Sequence, residues 1–270
     1  MDAIRSILLH LDDSDRTAAR VAIAAALAEH HDATVSATYA VVSSLLRMAA
    51  AGSEGTSLFA DTWRQLDDQR RGEARERFDA CNAGPRLVYR ELDEAAIVPA
   101  IVRGAFTADL LVLGQHDKAA RGPQGTPANF VESVVIDIGR PAIVVPYAGS
   151  FRDVGGQVLV AWKPTRESAR AVTAALPLLK RARAVHVASW GDDPREVEPL
   201  LLAHGVQARY HAEGEPPRHL AEAVLSRAAD FDADLIVMGC YGHGRAREWV
   251  LGGVSRGVLD AMTVPALLAH

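Results

Sequence analysis

Gly239, Gly242 and Gly252 stand in the spacing G-x2-G-x9-G, with Gly253, Val254 and Ser255 directly behind them. The run that leads into them, Leu235 to Met238, is apolar and reads as a buried strand. A strand, a glycine turn, a spacer and a second glycine pair opening a helix point to one kind of chemistry. Glycine admits backbone conformations that other residues resist. A row of outward-facing amides beside a helix N-terminus attracts phosphate. The pattern is not a P-loop, because no Gly-Lys-Ser/Thr follows, and it is looser than the dinucleotide fingerprint G-x-G-x-x-G. Other reactive residue types offer less. No two histidines sit at i, i+4 with a carboxylate partner, so no zinc pattern is expected. No G-x-S-x-G elbow is present. Cys240 lies in the glycine turn without an adjacent cation or a CxxC partner, and reads as a passive thiol. Asp12 and Asp13 have the form of an acid pair, but capping of the following helix explains them equally well.

The strand that delivers the glycines occurs twice. Ala233-Asp234-Leu235-Ile236-Val237-Met238-Gly239 matches Ala108-Asp109-Leu110-Leu111-Val112-Leu113-Gly114. Val264 to Leu268 matches Arg140 to Val144, and Val158 to Trp162 matches Ile7 to Leu11. Three matched blocks in the same order imply two copies of one unit, each of ordinary domain size. The expected domains are residues 1–148 and 154–270, joined where Gly, Ser and Asp cluster.

Composition narrows the class. Hydrophobic residues make up 49% of the chain and charged residues 23%, as in an ordinary globular protein. A net charge of -5 argues against a nucleic-acid partner. Two cysteines, one per copy, argue against a disulfide framework and for a reducing compartment. The opening Met1-Asp2-Ala3-Ile4-Arg5 shows no signal-peptide pattern, and no apolar run reaches the ~18 residues of a membrane span. A cytoplasmic location with no membrane partner is expected.

Short apolar runs alternate with longer amphipathic ones, the pattern of a parallel sheet with crossover helices. Strands are expected at 4–11, 33–41, 86–91, 108–114 and 141–146, then at 156–162, 183–190, 206–212, 233–238 and 264–269. Helices are expected at 15–31, 60–82, 94–106 and 129–138, then at 166–181, 194–204, 217–230 and 252–262. The first copy carries an extra polar stretch, 43–82, rich in Arg, Asp and Glu, which reads as a solvated helix face.

With these features the chain resembles the universal stress protein family in its tandem two-domain form. The glycine loop carries the resemblance, together with Ala161-Trp162, Arg166 to Val172, Ala175 to Leu179, Glu132 to Val135, Gly139-Arg140-Pro141 and the ending Thr263 to His270. The resemblance implies an α/β fold: two open five-stranded parallel sheets of order 3-2-1-4-5, flanked by helices and packed as a pseudo-dimer within one chain. It implies a ligand crevice between the first and fourth strands, where the strand order reverses. It implies a stress-response protein that binds ATP or another adenine nucleotide and acts by regulation, with little catalysis. An interaction module with degenerate pockets, or a weak ATPase, stand as the alternatives. Pairing of two chains through edge strands is a further expectation.

The resemblance also separates the copies. Nucleotide-binding relatives carry an acidic residue after the first strand and a Ser or Thr after the third glycine. The first copy keeps the acid, Asp12, but Gln115-His116-Asp117 replaces the glycine turn, and Pro127 brings no N–H to the later segment. The second copy keeps the glycines, but Lys163 replaces the acid and Gly253 replaces the Ser or Thr. Lysine neither coordinates Mg2+ nor accepts a hydrogen bond from a ribose hydroxyl, so Mg2+ is not expected there. The implied pocket is built from Ala161, Trp162, Lys163, Val187, Ala188, Met238, Gly239, Tyr241, Gly242, His243, Gly252, Gly253, Val254 and Ser255. Val187 and Ala188 would flank the adenine. Arg245 and Arg247 in the spacer read as exposed loop residues.

Overall fold

The computed structural model describes residues 3–41, 60–81, 84–93, 96–117, 126–151, 153–240 and 253–270. The first half runs β1 (Ser6–Leu11), α1 (Thr17–His31), β2 (Thr34–Val41), α2 (Ala60–Ala80), β3 (Leu87–Asp93), α3 (Ile97–Ala105), β4 (Leu110–Gly114), α4 (Phe130–Ile138) and β5 (Ala142–Val145). The second runs β6 (Gln157–Ala161), α5 (Arg166–Leu179), β7 (Ala184–Ser189), a 3-10 turn (Pro194–Val197), α6 (Glu198–Ala203), β8 (Arg209–Ala212), α7 (Leu220–Asp230), β9 (Leu235–Gly239), α8 (Gly253–Ala261) and β10 (Ala266–Ala269). Every element in this order coincides with a sequence expectation to within a few residues.

The ten strands form a single sheet of order β3-β2-β1-β4-β5-β10-β9-β6-β7-β8. Each half has the expected order, and all neighbours within a half are parallel. The halves join where β5 meets β10 antiparallel, with Ile143 opposite Leu267. The two joining strands are short, apolar and wholly buried, Ala-Ile-Val-Val against Ala-Leu-Leu-Ala. Neither carries the charge or proline that guards a free edge. The two expected sheets are thus fused into one. The edges expected to serve a homodimer are spent on each other, and among the described residues β3 and β8 are the outer strands of this sheet.

The central strands are buried on both faces, which places one hydrophobic cluster on each side of the sheet. The repeated Asp of the Ala-Asp-Leu motif has a structural task in both halves. The Asp234 carboxylate accepts the amides of Gly155, Gly156 and Gln157 at 2.7, 3.0 and 3.0 Å. Asp109 accepts those of Arg5 and Ser6 at 2.9 and 3.1 Å. Each Asp therefore ties the start of the first strand of its half to the start of the fourth, satisfying amides that the ladder leaves unpaired.

Among the described residues no helix is long and apolar enough to cross a membrane. The charged α2 is only partly a solvated face. Its outer side carries i, i+4 pairs such as Arg75 with Asp79 at 2.7 Å. Its inner side buries Ala74 and Phe78 and sends Arg70 to Asp13 at 3.6 Å. Residues 43–59 and 82 of the polar stretch lie outside the described residues.

Candidate functional site

Both switch points lie beyond the carboxyl ends of the strands, between the first and fourth strands of each half, where ligands of open α/β sheets bind. They differ in what fills them.

In the second half a cleft of about 190 Å3 opens there, lined by Ala161, Trp162, Lys163, Thr165, Glu167, Ser168, Trp190, Leu220, Val224, Met238, Gly239, Gly253, Val254 and Ser255. Eight of the residues expected from the sequence are brought together: Ala161, Trp162, Lys163, Met238, Gly239, Gly253, Val254 and Ser255. Tyr241, Gly242, His243 and Gly252 lie outside the described residues, as do Arg245 and Arg247.

Val187 and Ala188 are not on the cleft wall. Both are fully buried in β7, Val187 within the cluster on one sheet face and Ala188 within the cluster on the other. The strand period of two carries the Ala188 face on to Trp190, and it is Trp190 that lines the cleft. That alternation was the available signal for Trp190. Glu167, also missed, sits in the first turn of α5, which Thr165 caps by accepting the Ser168 amide.

The walls are mainly apolar and aromatic, with a few polar groups set among them. Trp162 is buried and its Nε1–H has no hydrogen-bond partner among the described residues. Ser255 is 6% exposed. The Glu167 carboxylate is buried and pairs with the exposed Arg166. Burial pushes the Glu167 carboxyl up, but Arg166, the residue's own amide and Thr165 outweigh it and hold the group below its usual value. Glu167 is therefore a charged carboxylate in the cleft wall. Lys163 is exposed at the mouth.

Gly239 has a packing reason of its own. A Cβ there would stand 2.9 Å from the Glu167 Cβ and would run into the Ser168 amide, because β9 ends tightly against the start of α5. Among the described residues, a Cβ at Gly253 would meet nothing within 4 Å. Burial pushes the Cys240 thiol up, which keeps it protonated and inert.

In the first half the matching position is closed by the protein's own charges. Arg20, 3% exposed, donates to Asp12 through Nη1 at 2.8 Å and packs over Gly114. Burial pushes the Asp12 carboxyl up, but the Arg20 guanidinium prevails and holds it well below the usual carboxylate range. Asp12 also accepts the amide and hydroxyl of Ser14 at 3.0 and 2.6 Å, closing a local turn where helix capping was expected. The space left beside Leu11, Asp12, Asp13, Tyr39, Asp67 and Arg70 is about 40 Å3. Of the failed glycine turn, Gln115 has been put to structural use. It is buried, donates to the Leu259 carbonyl at 2.6 Å and accepts the Tyr147 amide at 2.9 Å, which ties the halves together. His10 lies against Phe130 at 4.6 Å, with neither ring nitrogen partnered among the described residues.

Fold and crevice together define a tandem α/β protein with an open cleft at one of its two switch points. Residues 203–270 match the model of the universal stress protein family. Universal stress protein Slr1230 of Synechocystis is 28% identical over 177 residues, 62% of this chain and 58% of that protein. The chain thus spans less than two thirds of the length of that curated relative. A universal stress protein of Archaeoglobus fulgidus has a similar fold, with a TM-score of 0.69 at 18% identity over 98% of this chain and 95% of that one. A Pseudomonas aeruginosa protein solved as a candidate universal stress protein follows, with a TM-score of 0.62 at 15% identity over 99% and 94%. The chain is similar to the universal stress protein family, in sequence over residues 203–270 and in fold over nearly its whole length.

Proposed function

We propose that the protein is a stress-response regulator that binds ATP or another adenine nucleotide in its second half. In this reading the two repeats act as domains, 1–148 and 154–270, with only the second competent for ligand. One observation carries the proposal: the switch-point cleft beside the glycine-bearing strand is open, apolar and faced by two indoles, whereas its counterpart is closed by ion pairs. The residues present fit a planar base. Trp162, Trp190, Met238, Leu220 and Val254 supply flat or apolar walls, and the Trp162 Nε1–H offers a buried donor with no other partner among the described residues. Base–aromatic stacking is worth about 1–3 kcal/mol per base. Gly253, Val254 and Ser255 at the α8 N-terminus supply amides and a hydroxyl for a phosphate. Lys163 acts there as a point charge in place of a metal-holding carboxylate.

Regulation is favoured over catalysis because Lys163 stands where relatives place their acid. The test is to extract bound small molecules from the purified protein, titrate ATP by calorimetry and follow hydrolysis in the same samples. Binding without turnover, weakened by Lys163→Ala, is the expected result. No extracted nucleotide and no heat up to millimolar ATP would leave an interaction module with degenerate pockets. Turnover would make the protein a weak ATPase.

A further inference from the structure

We infer that the second-half cleft is a receptor for the nucleoside part of its ligand, with Glu167 accepting the sugar hydroxyls, so that adenosine and its monophosphate are bound at least as well as the triphosphate. The inference rests on the adenine-nucleotide reading above and adds to it the ligand's charge class and a specificity-determining residue.

The apolar area of this cleft comes from residues that the first half lacks. By strand register, Ala161 pairs with Ala188 as His10 pairs with Thr38. Trp162 and Trp190 therefore stand where the first half has Leu11 and Ala40. The gain of two indoles at one switch point enlarges the surface for a ring and does nothing for phosphate.

The charge inside the cleft points the same way. Among the described lining residues the ionisable side chains are Lys163 and Glu167. Lys163 is at the exposed mouth, where solvent weakens its pull. Glu167 is 2% exposed and lies against the end of β9, the strand from which the glycine turn departs. Paired with Arg166, that carboxylate adds no positive charge to the cleft, and the one lining cation that is not so paired is screened by solvent at the mouth, so little in the described lining draws a polyphosphate.

A buried carboxylate is, in contrast, the natural acceptor for a pair of neighbouring hydroxyls. It offers about four lone-pair sites, and a hydrogen bond to a charged acceptor is worth more than one to a neutral group. Arg166, the residue's own amide and Thr165 already donate to the Glu167 carboxylate, and its remaining lone pairs are the ones offered to a sugar. The sequence has thus moved its carboxylate four residues on, from the position of Lys163 to that of Glu167. The charge that relatives place after the first strand now enters from the first turn of the helix.

The experiment is calorimetry on the intact protein with adenosine, AMP, ATP and 2′,3′-dideoxyadenosine, without Mg2+, for the native chain and for Glu167→Gln. Adenosine and AMP are expected to bind at least as tightly as ATP. Dideoxyadenosine is expected to bind roughly ten-fold more weakly than adenosine, the loss of a hydrogen bond to a charged group. Glu167→Gln is expected to shrink that gap and to tighten ATP, a pair of changes that a purely structural role would not produce. Tighter binding of ATP than of adenosine by the native chain would overturn the inference, as would an unchanged gap in Glu167→Gln. Should Glu167→Gln fail to fold, equal binding of adenosine and dideoxyadenosine by the native chain overturns it alone. An absence of binding by all four compounds would refute the adenine-nucleotide reading itself, a result distinct from binding in the wrong order.

Discussion

The two halves share strand order, a tethering Asp and a fourth strand of nearly the same sequence, yet their switch points have opposite contents. In the first half Asp12 is held by Arg20 and Asp13 by Arg70, and the remaining space is about 40 Å3. In the second half the counterpart of Arg20 is Ala171, the counterpart of Asp12 is Lys163, and the cleft is about 190 Å3. The difference shows that an acidic residue after the first strand does not by itself keep a switch point open. In this chain the acid is an internal partner for a buried arginine, and the half that lost it kept the open crevice.

The comparison can be broken most forcefully at the ion pair. Arg20→Ala would leave Asp12 buried without its partner, and loss of one member of a buried pair costs about 3–5 kcal/mol. Chemical denaturation of the full chain should show the early loss of the first half, with ligand binding in the second retained. A fully stable Arg20→Ala protein would mean that the first switch point is not closed by this pair.

A second test uses pH. Burial lowers the His10 pKa from 6.5 to about 4. A group whose folded pKa lies below its unfolded value supports the fold fully above the unfolded value and withdraws that support as pH falls. The melting temperature should therefore drop between pH 6.5 and 4, with a free-energy change on the order of 3 kcal/mol. Asp12, also shifted down, extends the loss at lower pH. His10→Phe should flatten the profile in the upper part of this window, and an unchanged slope would assign the loss to other groups.

Two smaller effects sharpen the account of the second half. Trp190→Ala removes one stacking surface and should weaken adenosine binding by about 1–3 kcal/mol in calorimetry, with little change in melting temperature. Gly253→Ser restores the hydroxyl that relatives carry at that position. A Cβ at Gly253 meets nothing within 4 Å among the described residues, so these should not resist. A tightening of AMP binding by a few-fold, near 1 kcal/mol for one added hydrogen bond, is expected. Loss of binding would place the phosphate away from the start of α8.

The fold was legible because its signals are local and repeated. Apolar runs such as Leu110 to Gly114 and Leu235 to Gly239 state their own burial, and the copies confirm each other's boundaries. The apolar final strands made their pairing foreseeable, though not that it would fuse the two sheets and remove those edges from use by a second chain. The cleft was legible wherever a motif marked it, as at Trp162, Lys163 and Gly253 to Ser255. It was misread wherever the residue's task depends on which way a strand faces. Val187 and Ala188 are covered by neighbouring elements, and Trp190, one alternation further on, takes their expected place. The pairing of Asp12 with Arg20 was not legible, since nothing in the spacing of eight residues says that the arginine turns inward over Gly114. Gln115 likewise looked like a lost glycine turn and is a buried bridge between the halves.

The central claim is that one half binds and the other is closed. It is tested most directly by the stoichiometry of adenosine binding to the intact chain, measured by calorimetry on the native protein, Trp190→Ala and Arg20→Ala. The account predicts one equivalent per chain, weakened by Trp190→Ala and unaltered by Arg20→Ala. Two equivalents, or a single equivalent that Trp190→Ala leaves untouched, would contradict it.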